Sequence, residues 1–173
     1  MAQLAADATF DARELRKILG CFATGVAIVT TIDEDSNPRG LTVNSFTSVS
    51  LDPPLVLFCV AKSAPMYRVL LQAPSFAINI LAKPQQDLST RFATPSADKF
   101  AGLAWNPGQT GSPVFPGILA HLDCRRHGLV EAGDHVVLLG EVVDCARHTN
   151  EPLIFNQGGY AALAKSELER TNA

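Results

Sequence analysis

Hydrophobic and polar positions along the chain alternate between helical and strand spacing. Leu15, Ile18 and Leu19 share one helical face behind an Asp11…Glu14 pair with capping-box spacing, and Gly20 is a natural stop, so a short helix is predicted over residues 11–20. The pattern then turns β-rich. "GVAIVTT" at 25–31 is β-branched and apolar, "DEDSNP" at 33–38 is dense in turn formers, and "RGLTV" resumes the strand, which together predict a hairpin. "PLVLFCV" and "SFAINIL" are two further apolar strands, and the Met66, Val69, Leu70 spacing between them suits one short helix. Pro84 opens a second helix, "PQQDLSTRFA", with Leu88 and Phe92 on one side.

Residues 100–116 carry many Gly and Pro together with Trp105, which predicts a long surface loop of the kind that often serves function. Beyond it, two long antiparallel strands are predicted around the Ala132-Gly133-Asp134 turn, and "PLIFN" adds another. Six or seven strands with a few short helices and no βαβ alternation point to a mainly β protein, an antiparallel barrel with helical additions. One domain over 1–173 is expected, with its core at about 11–163 and a polar tail at 165–173.

Composition narrows the function. Hydrophobic residues make up 47% and charged residues 18% of the chain, enough apolar surface for a folded core. The net charge of -3, without a basic run, argues against nucleic-acid binding. The apolar runs fall short of the roughly 18 residues that cross a membrane, and the opening residues lack a basic segment before an apolar one, so a soluble cytoplasmic protein is expected. Cys21, Cys59, Cys124 and Cys145 form no C-x-x-C pair and read as small hydrophobes in a reducing compartment. Cys124 and His127 have ligand spacing but no second pair, so no metal site is expected.

The densest polar feature is "GLTVNSFTSVS", where Thr42, Asn44, Ser45, Thr47, Ser48 and Ser50 lead into the apolar strand "PLVLFCV". Hydroxyls, an amide and free backbone N–H groups offer donors and acceptors to a flat polar heterocycle, and Lys62-Ser63 beyond the strand suit a phosphate.

Six stretches, "FATGVAIVTT", "GLTVNSFTSVSLDPPLVLFCV", "FAINIL", "QQDLSTRFA", "GDHVVLLGEV" and "PLIFNQGGY", occur in the order and spacing of the short-chain flavin reductases, and the chain resembles that family over residues 15–163. These are the reductase components of two-component flavin-dependent monooxygenases. The resemblance implies an FMN-binding split β-barrel of Greek-key type and a homodimer. It also implies that Thr42, Asn44, Ser45, Ser48, Val49 and Ser50 surround the flavin ring and ribityl chain. Cys59, Ala61, Lys62 and Ser63 would pass the phosphate, and Arg91 and Phe92 would form a second contact. By the same resemblance His135 in "GDH" meets the nicotinamide or the reduced flavin and is the candidate catalytic residue, while Tyr160 in "GGY" lies near the pyridine nucleotide. His121, His127 and His148 are read as structural.

The function implied is hydride transfer from NADH or NADPH to FAD or FMN, with reduced flavin passing to a separate oxygenase. The absence of an Arg cluster for a 2′-phosphate leans toward NADH, and no G-x-G-x-x-G fingerprint is present. Two alternatives stay open on the sequence. One is an oxidase with bound FMN, of the pyridoxamine phosphate oxidase type; the other is a flavin-binding protein without turnover.

Overall fold

The computed structural model describes residues 11–96 and 98–164. Helix α1 (Ala12–Gly20) leads into β1 (Thr24–Gly25) and the hairpin of β2 (Ala27–Ile32) and β3 (Pro38–Val43). A second hairpin follows, β4 (Thr47–Leu51) and β5 (Pro54–Ala61), with α2 (Tyr67–Gln72), β6 (Ser75–Ile80), a 3-10 turn (Lys83–Gln85) and α3 (Gln86–Ala93) after it. The remainder comprises β7 (Asn106–Pro107), β8 (Pro113–Val114), β9 (Ala120–Ala132), β10 (His135–Arg147), β11 (Ile154–Asn156) and β12 (Gly159–Ala161). No described helix is long and apolar enough to cross a membrane.

Seven strands form one antiparallel sheet in the order β3-β2-β6-β9-β10-β5-β4. The two edge strands are joined by residues 44–46 alone. Four peptide steps reach at most about 15 Å, whereas six strand spacings would set the edges of a flat sheet about 29 Å apart. The sheet must therefore roll up. Rolling is visible inside it, because Phe58 of β5 and Phe76 of β6, with β9 and β10 between their strands, meet edge to face with ring centroids 5.1 Å apart. β3 and β4 do not pair, so the seam stays open and the barrel is split. After β5 the chain crosses through α2 to place β6 beside β2, the non-sequential neighbour that a Greek-key connection makes.

Period-two alternation fills the interior. Val56, Phe58 and Val60 of β5, Val136 and Leu138 of β10, Phe76 and Ile78 of β6, and Ala27 and Val29 of β2 share one buried cluster. Gly140 of β10 belongs to the same layer for want of space, since a Cβ there would stand 2.5 Å from Phe76 Cζ and 2.9 Å from Cys124 Cβ. A second cluster lies against Val26 and Ile28, where Phe92 of α3 meets Phe100 and Phe115 with ring centroids 5.0 and 5.3 Å away.

That second cluster corrects the surface-loop expectation for residues 100–116. Phe100, Ser112 and Phe115 are buried, and β7 and β8 form a small hairpin inside the segment. Gly and Pro shape its path, but its aromatic side chains cover β2 and α3. The capping box on α1 is half formed: Asp11 accepts from the Arg13 amide at 2.9 Å, while Glu14 pairs with Lys17 at 3.2 Å instead of reaching back. The apolar face of α1 is uncovered, with Ile18 61% and Leu19 65% exposed, and Phe22 just beyond it 79% exposed. Only Cys124 is a core cysteine, its thiol pushed up to about 12 by burial and by the neighbouring Asp123; Cys59 is half-buried, and Cys21 and Cys145 are exposed. The 165–173 tail lies outside the described residues.

Candidate functional site

Directly opposed residues of antiparallel strands share a face, which fixes where the candidate residues point. Val60 opposes Val136 in the interior, so the next pair, Ala61 and His135, faces outward, as does Cys59 opposite Val137. A bulge at Val49 of β4 shifts the register between Ser48 and Ser50 and sets Ser50 opposite Leu55 on the outer face of β5. Being an edge strand, β4 also leaves one side of its backbone unpaired. The segment that crosses the seam is pinned by Ser45, whose Oγ donates to the Cys59 carbonyl (3.2 Å) and accepts from the Cys59 amide (3.0 Å). Thr42, Asn44 and Ser45 thus lie where the chain crosses the seam, with Ser45 fastened to Cys59; Ser48, Val49 and Ser50 follow along β4 beside the first residues of β5, and Ala61 and His135 close the far end of β5.

The hydroxyls there divide into two kinds. Thr42 Oγ1 donates to the Ser89 carbonyl (2.7 Å), and Ser45 is spent on β5. Asn44, Thr47, Ser48 and Ser50 have no side-chain hydrogen bond among the described residues, and Val49 is 46% exposed. Partnerless donors and acceptors on a bulged edge strand are the chemistry a flat polar heterocycle requires, so the residues present fit a flavin.

Lys62 and His135 are held from the turn between β9 and β10. The Lys62 amide donates to the Asp134 carbonyl (2.9 Å), and Lys62 Nζ pairs with Glu131 at 2.5 Å, which raises the lysine pKa and keeps it cationic. Ser63 is exposed and has no side-chain partner among the described residues. His135 Nδ1 lies 2.7 Å from Asp134 Oδ1, and that hydrogen bond holds the Asp134 carboxyl below its usual range. A carboxylate acceptor assigns the Nδ1 proton, which leaves Nε2 outward without a protein partner among the described residues.

A second group forms where α3 meets β3 and β12. Tyr160 OH donates to Ser89 Oγ (2.8 Å) and lies 3.4 Å from Thr90 Oγ1, so Tyr160 and Thr42 are both tied to Ser89. Arg91 donates through Nη2 to the Ala101 carbonyl at 2.5 Å and retains its other N–H donors. Phe92 is 1% exposed and its ring is an anchor of the second core while also lining the adjacent cleft; Gly40 lets it approach, because a Cβ there would lie 2.8 Å from Phe92 Cε1. Between β3, the start of α2 and residues 92–105 opens a cleft of about 1120 Å³. Arg39, Lys99 and Trp105 line it, and none was singled out as a ligand residue in the sequence, because three distant segments meet there.

A split antiparallel barrel with an outward polar seam beside a nucleotide-sized cleft is the architecture of a flavin-binding protein. Residues 19–164 match the model of the flavin reductase like domain, and the chain belongs to that family. It is 46% identical over 151 residues to the Rhizobium meliloti (strain 1021) protein named "Probable flavin reductase", covering 87% of this chain and 49% of that one. The stachydrine N-demethylase reductase subunit Stc3 of the same organism is 45% identical over 95% of this chain and 71% of its own length. The solved structure of the Streptomyces globisporus C-1027 NADH:FAD oxidoreductase SgcE6, in complex with NAD and FAD fragments, superposes with a TM-score of 0.87 at 41% identity, covering 96% of this chain and 99% of that one. The chain thus spans about half the length of one of these relatives and nearly all of another.

Proposed function

We propose that the protein is a flavin reductase that moves a hydride from NADH to a diffusible flavin and supplies the reduced flavin to a separate monooxygenase component. The observation that carries this reading is the set of partnerless polar groups at Asn44, Thr47, Ser48 and Ser50, along and just before the edge strand β4, which pairs with the same strand β5 whose far end pairs with His135. A flavin held here would supply the hydride acceptor, chemistry that belongs to the two nucleotides rather than to the protein. The chain's contribution is placement. Ser48, Ser50 and the free edge of β4 aim hydrogen-bond donors at the pyrimidine side of the ring, where negative charge grows. Lys62, Ser63 and Arg91 hold phosphate, and Tyr160 closes the nucleotide side through Ser89. His135, oriented by Asp134, offers Nε2 to the nicotinamide carboxamide. The flavin and nicotinamide substrates of SgcE6 and the reductase-subunit role of Stc3 support the assignment.

The proposed enzyme is a homodimer. Leu51 is 94% and Val49 46% exposed on β4 and Val130 55% exposed on β9, large apolar side chains that a second copy would cover. The chain without substitution is expected to run as a dimer in light scattering, and Leu51→Glu with Val130→Glu as a monomer. A fully active wild-type monomer would remove this part of the proposal. Free thiols and a nicotinamide substrate suit the cytoplasm.

The deciding measurement is nicotinamide oxidation followed by absorbance, with NADH and NADPH each tested against FAD, FMN and no added flavin. Saturable turnover that depends on added flavin, faster with NADH, is expected; oxidation without flavin dependence contradicts it. His135→Ala removes one hydrogen bond worth roughly 1.5 kcal/mol, so hydride transfer should slow about tenfold while flavin affinity stays within about twofold. An unchanged rate would strip His135 of its role.

A further inference from the structure

We propose that Glu131 competes with the flavin phosphate for Lys62, so that a phosphorylated flavin is held loosely enough to be exchanged. The inference rests on the flavin reading above, and within it on Lys62 as a phosphate ligand.

Strand register brings the pair together. Val60 of β5 opposes Val136 of β10, and Val136 opposes Glu131 of β9, so the three lie in one row across adjacent strands. Lys62 follows the last residue of β5, and its amide is fastened to the Asp134 carbonyl (2.9 Å) in the turn between β9 and β10. From there its side chain spans the start of β10, and Nζ lies 2.5 Å from Glu131 Oε2. Ser63 beside it has no side-chain partner among the described residues, so in this stretch only the cation is already engaged.

Charge decides what that contact does. The ammonium is paired with one carboxylate, and Asp134 of the same turn acts on it as a second anion, so the group offers an arriving phosphate no net positive charge. A phosphate must therefore displace Glu131. It can do so, because a phosphomonoester carries about −1.5 to −2 charges at pH 7 and three acceptor oxygens, against the single charge of a carboxylate. The side chains of Lys62 and Glu131 are 39% and 59% exposed, and ion pairs in water are weak, so the competition lowers phosphate affinity severalfold without abolishing it. When the flavin leaves, the carboxylate takes the ammonium back. A permanently bound cofactor would gain nothing from such a rival, whereas a flavin that must depart does.

The test is fluorescence titration of the full chain with FMN and with riboflavin, which has the same ring and ribityl chain but no phosphate. Glu131→Gln keeps the shape and removes the charge; it should tighten FMN by about twofold to fivefold and leave riboflavin within about 1.5-fold. Lys62→Gln should weaken FMN alone. In the Lys62→Gln background the gain from Glu131→Gln should shrink below about 1.5-fold, because no ammonium is left to compete for. A gain of full size in that background would mean plain repulsion of the phosphate by Glu131 and overturn the proposal. So would a Glu131→Gln chain with unchanged FMN affinity or with both flavins shifted alike, and so would a Lys62→Gln chain that binds FMN as the parent does. The expected FMN-specific responses without NADH oxidation would leave this inference standing and remove the reductase reading; flavin-dependent NADH oxidation with no response to Glu131→Gln would do the reverse. A chain that binds neither flavin would remove both.

Discussion

Two sets of polar side chains occupy this barrel, and they differ in whether the protein satisfies them. Thr30, Thr31, Asn79, Ser112 and Asp123 are buried and bonded. Asn79 donates to the Thr30 hydroxyl (3.1 Å) and the Pro113 carbonyl (3.2 Å) and accepts from the Phe115 amide (2.9 Å); Asp123 accepts from the amide and hydroxyl of Thr110, both at 2.6 Å. Together they fasten residues 108–115 to β2, β6 and β9. Asn44, Thr47, Ser48 and Ser50 lie at the open seam of the same sheet and have no side-chain partner among the described residues. Buried polar groups without partners are expensive, so the first set had to be paired for the fold to exist. Water satisfies the second set, which leaves it free for a ligand.

The comparison breaks most readily at its buried end. Asp123→Ala would orphan the Thr110 amide, leave the Thr110 hydroxyl only Ser112 as a partner and loosen the hairpin, a loss of about 3 kcal/mol expected in urea unfolding; a loss below about 1 kcal/mol would show the network to be dispensable. Next comes Gly140→Ala, which leaves every polar pair intact but drives a methyl into Phe76. It should cost roughly 1–3 kcal/mol by overpacking, separating the cost of lost space from that of lost hydrogen bonds. At the seam, Ser48→Ala and Ser50→Ala should stay within about 0.5 kcal/mol of the parent stability yet weaken flavin binding severalfold in a fluorescence titration. Loss of stability without loss of flavin affinity would invert the comparison.

The smallest effect concerns a surface pair. Arg39 donates to Asp33 at 2.6 Å and, with the Asn37 amide, holds that carboxyl below its ordinary range. A depressed folded pKa stabilises above the unfolded value and is lost as pH falls through the folded one. Asp33→Asn should therefore lower the urea midpoint slightly at pH 7 and converge with the parent once the pH is below the depressed value. A difference that grows in acid would contradict the pairing.

Much of the barrel is legible in local patterns. The hairpins of β2–β3 and β9–β10 follow from β-branched alternation around turn formers, and the helices from apolar spacing, because backbone hydrogen bonding and side-chain alternation act over a few residues. The seam hydroxyls and the "GDH" turn are likewise visible as clusters. Composition misled at residues 100–116, since Gly and Pro mark irregular backbone but do not report that Phe100 and Phe115 are buried beneath it. Phe92 shows another limit: "RFA" does not report that Gly40, more than fifty residues upstream, makes room for its ring in the core.

The sequence by itself determined the strand and helix segments, the polar run leading into β5, and the family to which the chain belongs, because each depends on residues near one another in the chain. Tertiary structure alone decided which hydroxyls are spent on the fold, that Ala61 and His135 share an outer face, and that Arg39, Lys99 and Trp105 line one cleft. Those facts depend on strand register and on the rolling of the sheet, which bring together groups separated by dozens of residues.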